Sequence, residues 1–246
     1  MAKNHMQQKM TPREVSEAIF VDFEGAKSDE NGEKFLGILW NPYSDDSKKP
    51  RLRQYILDPN LTLCAKAKTY DATAHVSCEK HEVKYFSSRE QPEKEAVEFL
   101  LKLQNGRARI VSWSLHDWNI LENIMGKHGF DDEQRMNIKE RWRNAISTAQ
   151  SWGEANGLNT AKGQNELDLY LETLNYEIPS FLTRDSTPGN KLINDRMKKL
   201  SNLQMKKKKI NDLSEKQKGY WRHICEYNFH DLEGMRQVLL KAVMKS

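Results

Sequence analysis

Two acidic residues end a short apolar run near the start of the chain, in the segment IFVDFEG at 19–25. β-Branched and aromatic residues in so short a run favour a buried central strand over a helix. Alternate side chains of a strand share a face, so Asp22 and Glu24 are expected to point the same way. Two carboxylates on one face repel each other unless a cation lies between them, which makes the pair a candidate cation site. A turn is the alternative interpretation, because Asp and Gly favour turns.

Three further residues have the chemistry and the positions to complete such a site. Asp117 lies in VSWSLHDWNIL, where an apolar strand meets a helix; capping is its alternative role, since Ser114 and Asp117 have capping-box spacing. Tyr227 and Asp231, in EYNFHDLEGM, are four residues apart on the last helix and therefore neighbours on one face. A carboxylate on the apolar stripe of a helix requires a partner, and the adjacent His230 is expected to be the more solvated residue.

The apolar pattern predicts the elements that must position these residues. Strands are predicted at 17–23, 34–40, 51–57 and 108–113, the first two as a hairpin and the third nearer an edge. Helices are predicted from Thr11, at 92–104, 114–129 and 135–152, and from Ser214 to about 245. Leu167 to Tyr170 is either a fifth strand or the start of a helix, and 60–90 gives no clear pattern. A hairpin followed by a helix and another strand predicts a mixed sheet with a helical crossover.

Composition sets the broad class of the protein. The chain has 246 residues, of which 37% are apolar and 30% charged, with a net charge of +4. Three widely spaced cysteines argue against a disulfide framework. With no apolar run of membrane-spanning length and no signal-peptide pattern, we expect a soluble, cytoplasmic protein without a membrane partner. We expect a polar tail at 1–16, disordered over 1–10, and one domain at 17–246 with a helical or loop insertion at about 130–213.

A second metal-binding interpretation concerns the region without a clear pattern. Cys64, His75, Cys78 and His81 include a His-x-x-Cys-x-x-His spacing that zinc could use. The alternative is a polar loop that contains these residues by chance, since neither close pair has zinc-knuckle spacing. The sequence leaves both interpretations open.

Together, the motifs around Asp22, Glu24, Asp117, Tyr227 and Asp231 resemble those of the DEDD 3′–5′ exonucleases of the ribonuclease H-like superfamily. The resemblance spans about residues 17–245, through short motifs separated by variable spacers. One branch of that family has a His five residues before the final Asp, where this chain has Glu226; the other has a Tyr four residues before it, as here. Within the Tyr-containing branch, the chain is similar to the ribonuclease H-like domains of predicted prokaryotic nucleases.

The resemblance implies an α/β fold with a ribonuclease H-like mixed sheet of about five strands, and hydrolysis at the 3′ end of RNA or DNA. It implies two Mg²⁺ or Mn²⁺ ions, which serve the attacking water and the leaving oxygen when about 3.5–4 Å apart. Asp22 would bridge the ions, Glu24, Asp117 and Asp231 would complete the site, and Tyr227 would orient the water. Hard cations prefer such oxygen ligands.

Nucleic-acid contacts are expected from residues near the carboxylates and from a basic segment. One of Phe23, Trp113 and Trp118 would stack on a terminal base, and packing in the core is the alternative for Trp113 and Trp118. The lysine run comprises Lys206, Lys207, Lys208 and Lys209 and is either a solvated face or a contact for the phosphate backbone. The alternatives to an exonuclease are a non-catalytic nucleic-acid-binding module, a structure-specific endonuclease and a helical scaffold protein.

Overall fold

A mixed six-stranded sheet lies at the centre of the computed structural model, which describes residues 5–25, 32–43, 48–62, 77–162, 166–177, 179, 181, 189–205 and 213–244. The strands are β1 (Ile19–Glu24), β2 (Phe35–Trp40), β3 (Arg51–Ile56), β4 (Lys80–Lys84), β5 (Ile110–Ser112) and β6 (Trp142–Asn144). Their order is β4-β3-β2-β1-β5-β6, and β2 is antiparallel to both of its neighbours while the other pairs are parallel. The first strand is therefore central, as its apolar sequence predicts.

Eight α-helices flank the sheet in the described part of the chain. They are α1 (Pro12–Ser16), α2 (Glu90–Lys102), α3 (Leu115–Lys127), α4 (Asp132–Arg141), α5 (Ala145–Ala155), α6 (Leu167–Thr173), α7 (Gly189–Met205) and α8 (Glu215–Met244). This architecture confirms the predicted α/β class and is compatible with a ribonuclease H-like mixed sheet. In the described ranges, no helix combines the length and the apolar character needed to cross a membrane.

The two faces of β1 enter different cores. Ile19, Val21 and Phe23 pack in a cluster that includes the apolar residues of α2 and α3. Phe20 packs on the opposite face, in a cluster with α5 and the second half of α8. Because side chains alternate along a strand, Asp22 and Glu24 are on the α8 side of the sheet.

Helix α8 carries Asp231 to the sheet because it extends across two cores. Its 30 residues correspond to a length of about 45 Å. Ser214 and Gln217 form the predicted capping box at its start, with the Gln217 N–H donating to Ser214 Oγ at 3.3 Å. Trp221 and Ile224 pack with β2, β3 and α7, whereas later apolar residues pack against the centre of the sheet. Asp231 therefore lies where the helix crosses β1.

The edge strands differ from the sequence-based expectation. The predicted helix at 135–152 is interrupted by β6, which pairs in parallel with β5. Trp142 is 0% exposed, and the stabilisation from its burial and from pairing with the sheet exceeds that from continuing the helix. Asn144 then caps α5, because its side-chain oxygen accepts a 3.0 Å hydrogen bond from the Ile146 N–H. The ambiguous segment at 167–170 belongs to α6. Part of the predicted insertion thus belongs to the central sheet and its helices.

At the other edge, β4 adds a strand that the sequence did not reveal, so the sheet has six strands rather than about five. Four of its five residues are half-buried, which gives little apolar alternation to detect. As a result β3 is the second strand from this edge, which agrees with its predicted position nearer an edge.

The expected disorder of 1–10 is also wrong for the part that the structure describes. Met6 and Met10 are each 5% exposed and pack into the two main cores. The Met10 N–H donates to Thr148 Oγ1 at 3.0 Å, which fixes the segment against α5. The predicted capping box of α1, formed by Thr11 and Glu14, is confirmed.

Candidate metal centre

Three carboxylates converge where α8 crosses β1. Oxygen atoms of Asp22, Glu24 and Asp231 all lie within 4.8 Å of one another. Glu24 is 7% exposed, while Asp22 and Asp231 retain partial access to solvent. The convergence on which the sequence-based hypothesis depends is therefore present in the fold.

Asp117 joins this group from the first turn of α3, the helix that follows the neighbouring strand β5. Because β1 and β5 are parallel, their carboxyl ends meet at the same edge of the sheet, and α3 begins directly after β5. Asp117 is 5% exposed and its Oδ1 accepts a 3.3 Å hydrogen bond from the Phe23 N–H. Capping of α3 falls to Ser114, whose Oγ accepts from the His116 N–H at 3.2 Å. Asp117 therefore faces the first strand and does not serve as the cap.

Asn228 fixes Asp22 and was not identified from the sequence. Its Nδ2 donates to Asp22 Oδ2 at 2.8 Å, and its Oδ1 accepts from Gln54 Nε2 at 3.0 Å. Gly37 lies opposite Asp22 in β2, and a Cβ there would overlap the Asn228 amide and approach Leu232 Cδ1 to 2.6 Å. The missing side chain of Gly37 thus lets α8 approach the sheet closely enough for Asn228 to reach Asp22. Asn228 lies three residues before Asp231 and therefore on the same face of α8. That spacing is the one sequence signal that Asn228 belongs to the site.

Replacing Asn228 by Ala should lower the free energy of unfolding by about 1–3 kcal/mol, because the buried Gln54 and Asp22 would each lose a partner. Urea denaturation in EDTA measures this change. Asn123→Ala, at an exposed position of α3, is the control and should change stability by less than about 0.5 kcal/mol. Equal stability of Asn228→Ala and the wild type would contradict the role assigned to Asn228.

The electrostatics of the group favour a bound cation. Burial raises the pKa of Asp22 to about 6, although hydrogen bonds with Glu24 and Asn228 oppose the rise. Burial and the mutual repulsion of the carboxylates raise the pKa values of Glu24, Asp117 and Asp231 well above their usual range. Within the described ranges, no Lys or Arg forms an ion pair with any of the four. A divalent cation would offset the charge that the protein leaves uncompensated.

The donor atoms also fit hard divalent cations. Buried oxygens Glu24 Oε1 and Asp231 Oδ1 have no hydrogen-bond partner in the described part of the chain. Such atoms normally carry a desolvation penalty, which coordination to a metal removes. The oxygen-only set of Asp22, Glu24, Asp117 and Asp231 matches the preference of Mg²⁺ and Mn²⁺.

Tyr227 lies beside these carboxylates on α8. It is 6% exposed, and its hydroxyl opposes the rise in the pKa of Asp231 that burial causes. Burial, with the charges of Asp231 and Glu24, raises the pKa of the Tyr227 phenol far above its ordinary value. The phenol therefore remains protonated at neutral pH and acts as a hydrogen-bond donor.

Glu33 is a fifth carboxylate that sequence reasoning missed. It is 6% exposed, and its negative charge raises the pKa values of Asp22 and Asp117. Its Oε1 lies 3.3 Å from His116 Nε2, and its Oε2 has no hydrogen-bond partner among the described residues. Because Glu33 directly follows a turn-forming segment, its sequence context resembles that of an ordinary surface residue.

The predicted stacking roles of Phe23 and Trp118 are wrong for this structure. Phe23 is 7% and Trp118 6% exposed, and both belong to the core on the α2 and α3 side of the sheet. Trp118 packs edge-to-face on Trp142, with 5.5 Å between ring centroids. The apolar alternation that places Asp22 on the α8 side places Phe23 on the opposite side. Trp113 is half-buried and packs against Tyr170 at 5.0 Å.

Two other predictions involve residues outside the described ranges. The lysine run, Lys206 to Lys209, lies outside them, as do Cys64 and His75 of the zinc alternative. Of the remaining pair, Cys78 is a half-buried thiol whose pKa burial raises to about 11, and His81 Nε2 lies 2.7 Å from Gln54 Oε1.

The fold and the site thus define an α/β protein with a mixed six-stranded sheet, compatible with a ribonuclease H-like one, and a buried acidic centre at the carboxyl end of its central strand. Comparison with protein-family models, with curated proteins and with solved structures finds no match for this chain. Functional inference therefore rests on the chemistry of the site.

Proposed function

We propose that this protein is a metal-dependent 3′–5′ exonuclease of the Tyr-containing DEDD type, acting on single-stranded or terminal RNA or DNA. The observation that carries the proposal is the approach of Asp22, Glu24 and Asp231 to within 4.8 Å, with Asp117 bonded to the same strand. Phosphodiester hydrolysis requires an activated water and a stabilised leaving oxygen. A pair of Mg²⁺ or Mn²⁺ ions supplies both when bound.

The protein's own residues have separate roles in this proposal. Asp22 would be the shared ligand, because its charge raises the pKa values of Glu24, Asp117 and Asp231 alike. Asn228 holds the Asp22 carboxylate by its 2.8 Å bond, which leaves the other Asp22 oxygen for coordination. Tyr227, protonated at neutral pH, donates a hydrogen bond that orients the attacking water.

Substituting Tyr227 by Phe should lower the rate of hydrolysis by about 100-fold while metal binding and folding persist, because only the hydroxyl is removed. The ring belongs to the apolar cluster around Trp221 and Ile224, so the phenylalanine should keep its packing. Single-turnover kinetics with saturating Mn²⁺ measure the effect. Tyr220→Phe, earlier on the same helix, is the matched control and should retain the wild-type rate. A Tyr227→Phe protein as active as the wild type would exclude the water-orienting role.

The function is tested with 5′-labelled single-stranded RNA and DNA in Mn²⁺, Mg²⁺ or EDTA. The expected result is shortening from the 3′ end in the presence of either metal and none in EDTA. Asp22→Asn and Asp231→Asn should each remove this activity while the circular dichroism spectrum is unchanged. Comparison of the two labelled substrates identifies the preferred nucleic acid.

Other products would overturn the proposal in favour of a different function. Binding without shortening in Mg²⁺ and Mn²⁺ would indicate a non-catalytic nucleic-acid-binding module. Cleavage of a circular strand, which has no 3′ end, would indicate an endonuclease.

A further inference from the structure

A second cluster of metal-binding side chains shares Asp231 with the acidic centre. Ligand atoms of Asp168, His230 and Asp231 all lie within 4.8 Å of one another. Asp168 lies on α6, and the other two residues are consecutive on α8. Asp168 is exposed, so the cluster opens to solvent on the α6 side.

His230 is the unusual member of the cluster. The sequence suggested a solvated side chain, whereas the imidazole is 4% exposed and lies 5.3 Å from the ring of Tyr176. No hydrogen bond to either ring nitrogen is present among the described residues. Neither ring nitrogen is among the fully buried polar atoms that lack a partner, so both keep some contact with solvent. Here the ring nitrogen faces two carboxylates across a gap of ionic size.

The donor set differs in kind from that of the acidic centre. One nitrogen and two carboxylate oxygens suit borderline first-row cations, whereas Mg²⁺ prefers oxygen alone. Metal–ligand distances of about 2.0–2.2 Å would require the three groups to move slightly closer together. Glu166 and Glu172 add negative charge near Asp168.

We propose that Asp168, His230 and Asp231 form a binding site for a transition-metal cation such as Mn²⁺, Co²⁺ or Zn²⁺, distinct from the oxygen-only centre. This proposal does not depend on nuclease activity, because the two clusters share only Asp231. Since both sites use that residue, occupancy of one is expected to alter affinity at the other.

Pulsed electron paramagnetic resonance of Mn²⁺ added to the metal-free protein distinguishes the two sites, because only the Asp168–His230–Asp231 site supplies a directly coordinated ¹⁴N, whose coupling is strong. We expect ¹⁴N coupling in the wild type and in Asp22→Asn, in which the oxygen-only centre is disrupted. The coupling should disappear in His230→Gln. Its absence from the wild type, or its persistence in His230→Gln, would overturn the proposal whatever the nuclease assay shows.

A second variant keeps the test decisive if the buried His230→Gln protein fails to fold. Asp168→Asn changes an exposed residue and should weaken Zn²⁺ binding, measured by calorimetry, by about 10–100-fold or more, since even a second-shell change costs that much. Asp195→Asn, the same chemical change at an exposed position of α7, is the matched control and should bind Zn²⁺ about as the wild type does. Equal losses in both variants, or no loss in Asp168→Asn, would contradict coordination by Asp168.

Discussion

Substituting Asp22 by Asn is expected to reduce nuclease activity by about 1,000-fold or more, because charge stabilisation by metal ions contributes several kcal/mol to the barrier. The substitution keeps the size of the side chain but removes the shared anionic ligand between Glu24, Asp231 and Asp117. The Asn228 amide can still bond to the remaining carbonyl oxygen of residue 22, so the fold should persist. Initial rates on 5′-labelled substrate with saturating Mn²⁺ measure the loss.

The control for this experiment is Asp195→Asn, which makes the same chemical change at an exposed position of α7. It should retain the wild-type rate. Substantial activity in a folded Asp22→Asn protein would show that hydrolysis does not depend on the acidic centre. Loss of activity in both variants would show that the effect is not specific to the acidic centre.

The stability of the metal-free protein should fall as the pH rises from about 4 to 7. Asp22 has a pKa of about 6 in the folded protein, against about 3.9 for an unperturbed Asp. Between these values the folded state binds more protons than the unfolded state, so the free energy of unfolding decreases with increasing pH. The raised pKa of Asp22 alone lowers the free energy of unfolding by about 3 kcal/mol at neutral pH. The pKa values of Glu24, Asp117 and Asp231 are raised as well, so their effects have the same sign.

Thermal unfolding in EDTA, followed from pH 4 to 8 for the wild type and Asp22→Asn, isolates this contribution. Carboxyl groups with lowered pKa values, such as Glu93, make the free energy of unfolding rise with pH. They are present in both proteins, so they cancel in the comparison. Asp22→Asn should therefore be the more stable protein at neutral pH, and the difference should vanish near pH 4. Mg²⁺ at about 100 times its dissociation constant should restore about 2.7 kcal/mol to the wild type.

Two outcomes would contradict this prediction. One is a difference in the free energy of unfolding between the two proteins that does not change with pH. It would mean that burial and repulsion do not raise the pKa of Asp22. The other is equal stabilisation of both proteins by Mg²⁺, which would place the bound ion away from Asp22.

The residues that could do chemistry were visible in the sequence, because their positions relative to local elements are short-range properties. Asp22 and Glu24 follow an apolar run, Asp117 follows a strand and opens a helix, and Tyr227 and Asp231 are one helical turn apart. Side-chain alternation in strands and the helical repeat determine each of these positions from residues only a few places away in the chain. The predicted hairpin of β1 and β2, and the start of α8 at Ser214, were correct for the same reason.

The supporting residues were not visible, because their partners are distant in the chain. Asn228 bonds to Asp22 across 206 positions, and nothing near Asn228 in the sequence indicates that contact. Glu33 and Asp168 lie in polar or mixed segments, where a carboxylate is unremarkable before the fold places it beside others. The burial of His230 depends on its packing against Tyr176, which local pattern does not specify.

The sequence by itself determined the central strand, its flanking elements and the identity of five candidate site residues, since apolar periodicity and capping are local. Only the tertiary structure decided that Asp231 meets Asp22 and Glu24, that Phe23 and Trp118 are buried, and that β6 interrupts a helical pattern. These outcomes depend on strand pairing and on which face of α8 packs against the sheet, a choice governed by long-range burial. Gly37 allows α8 to approach the sheet closely, because it has no side chain. A local pattern would treat a glycine in a strand only as a destabilising residue.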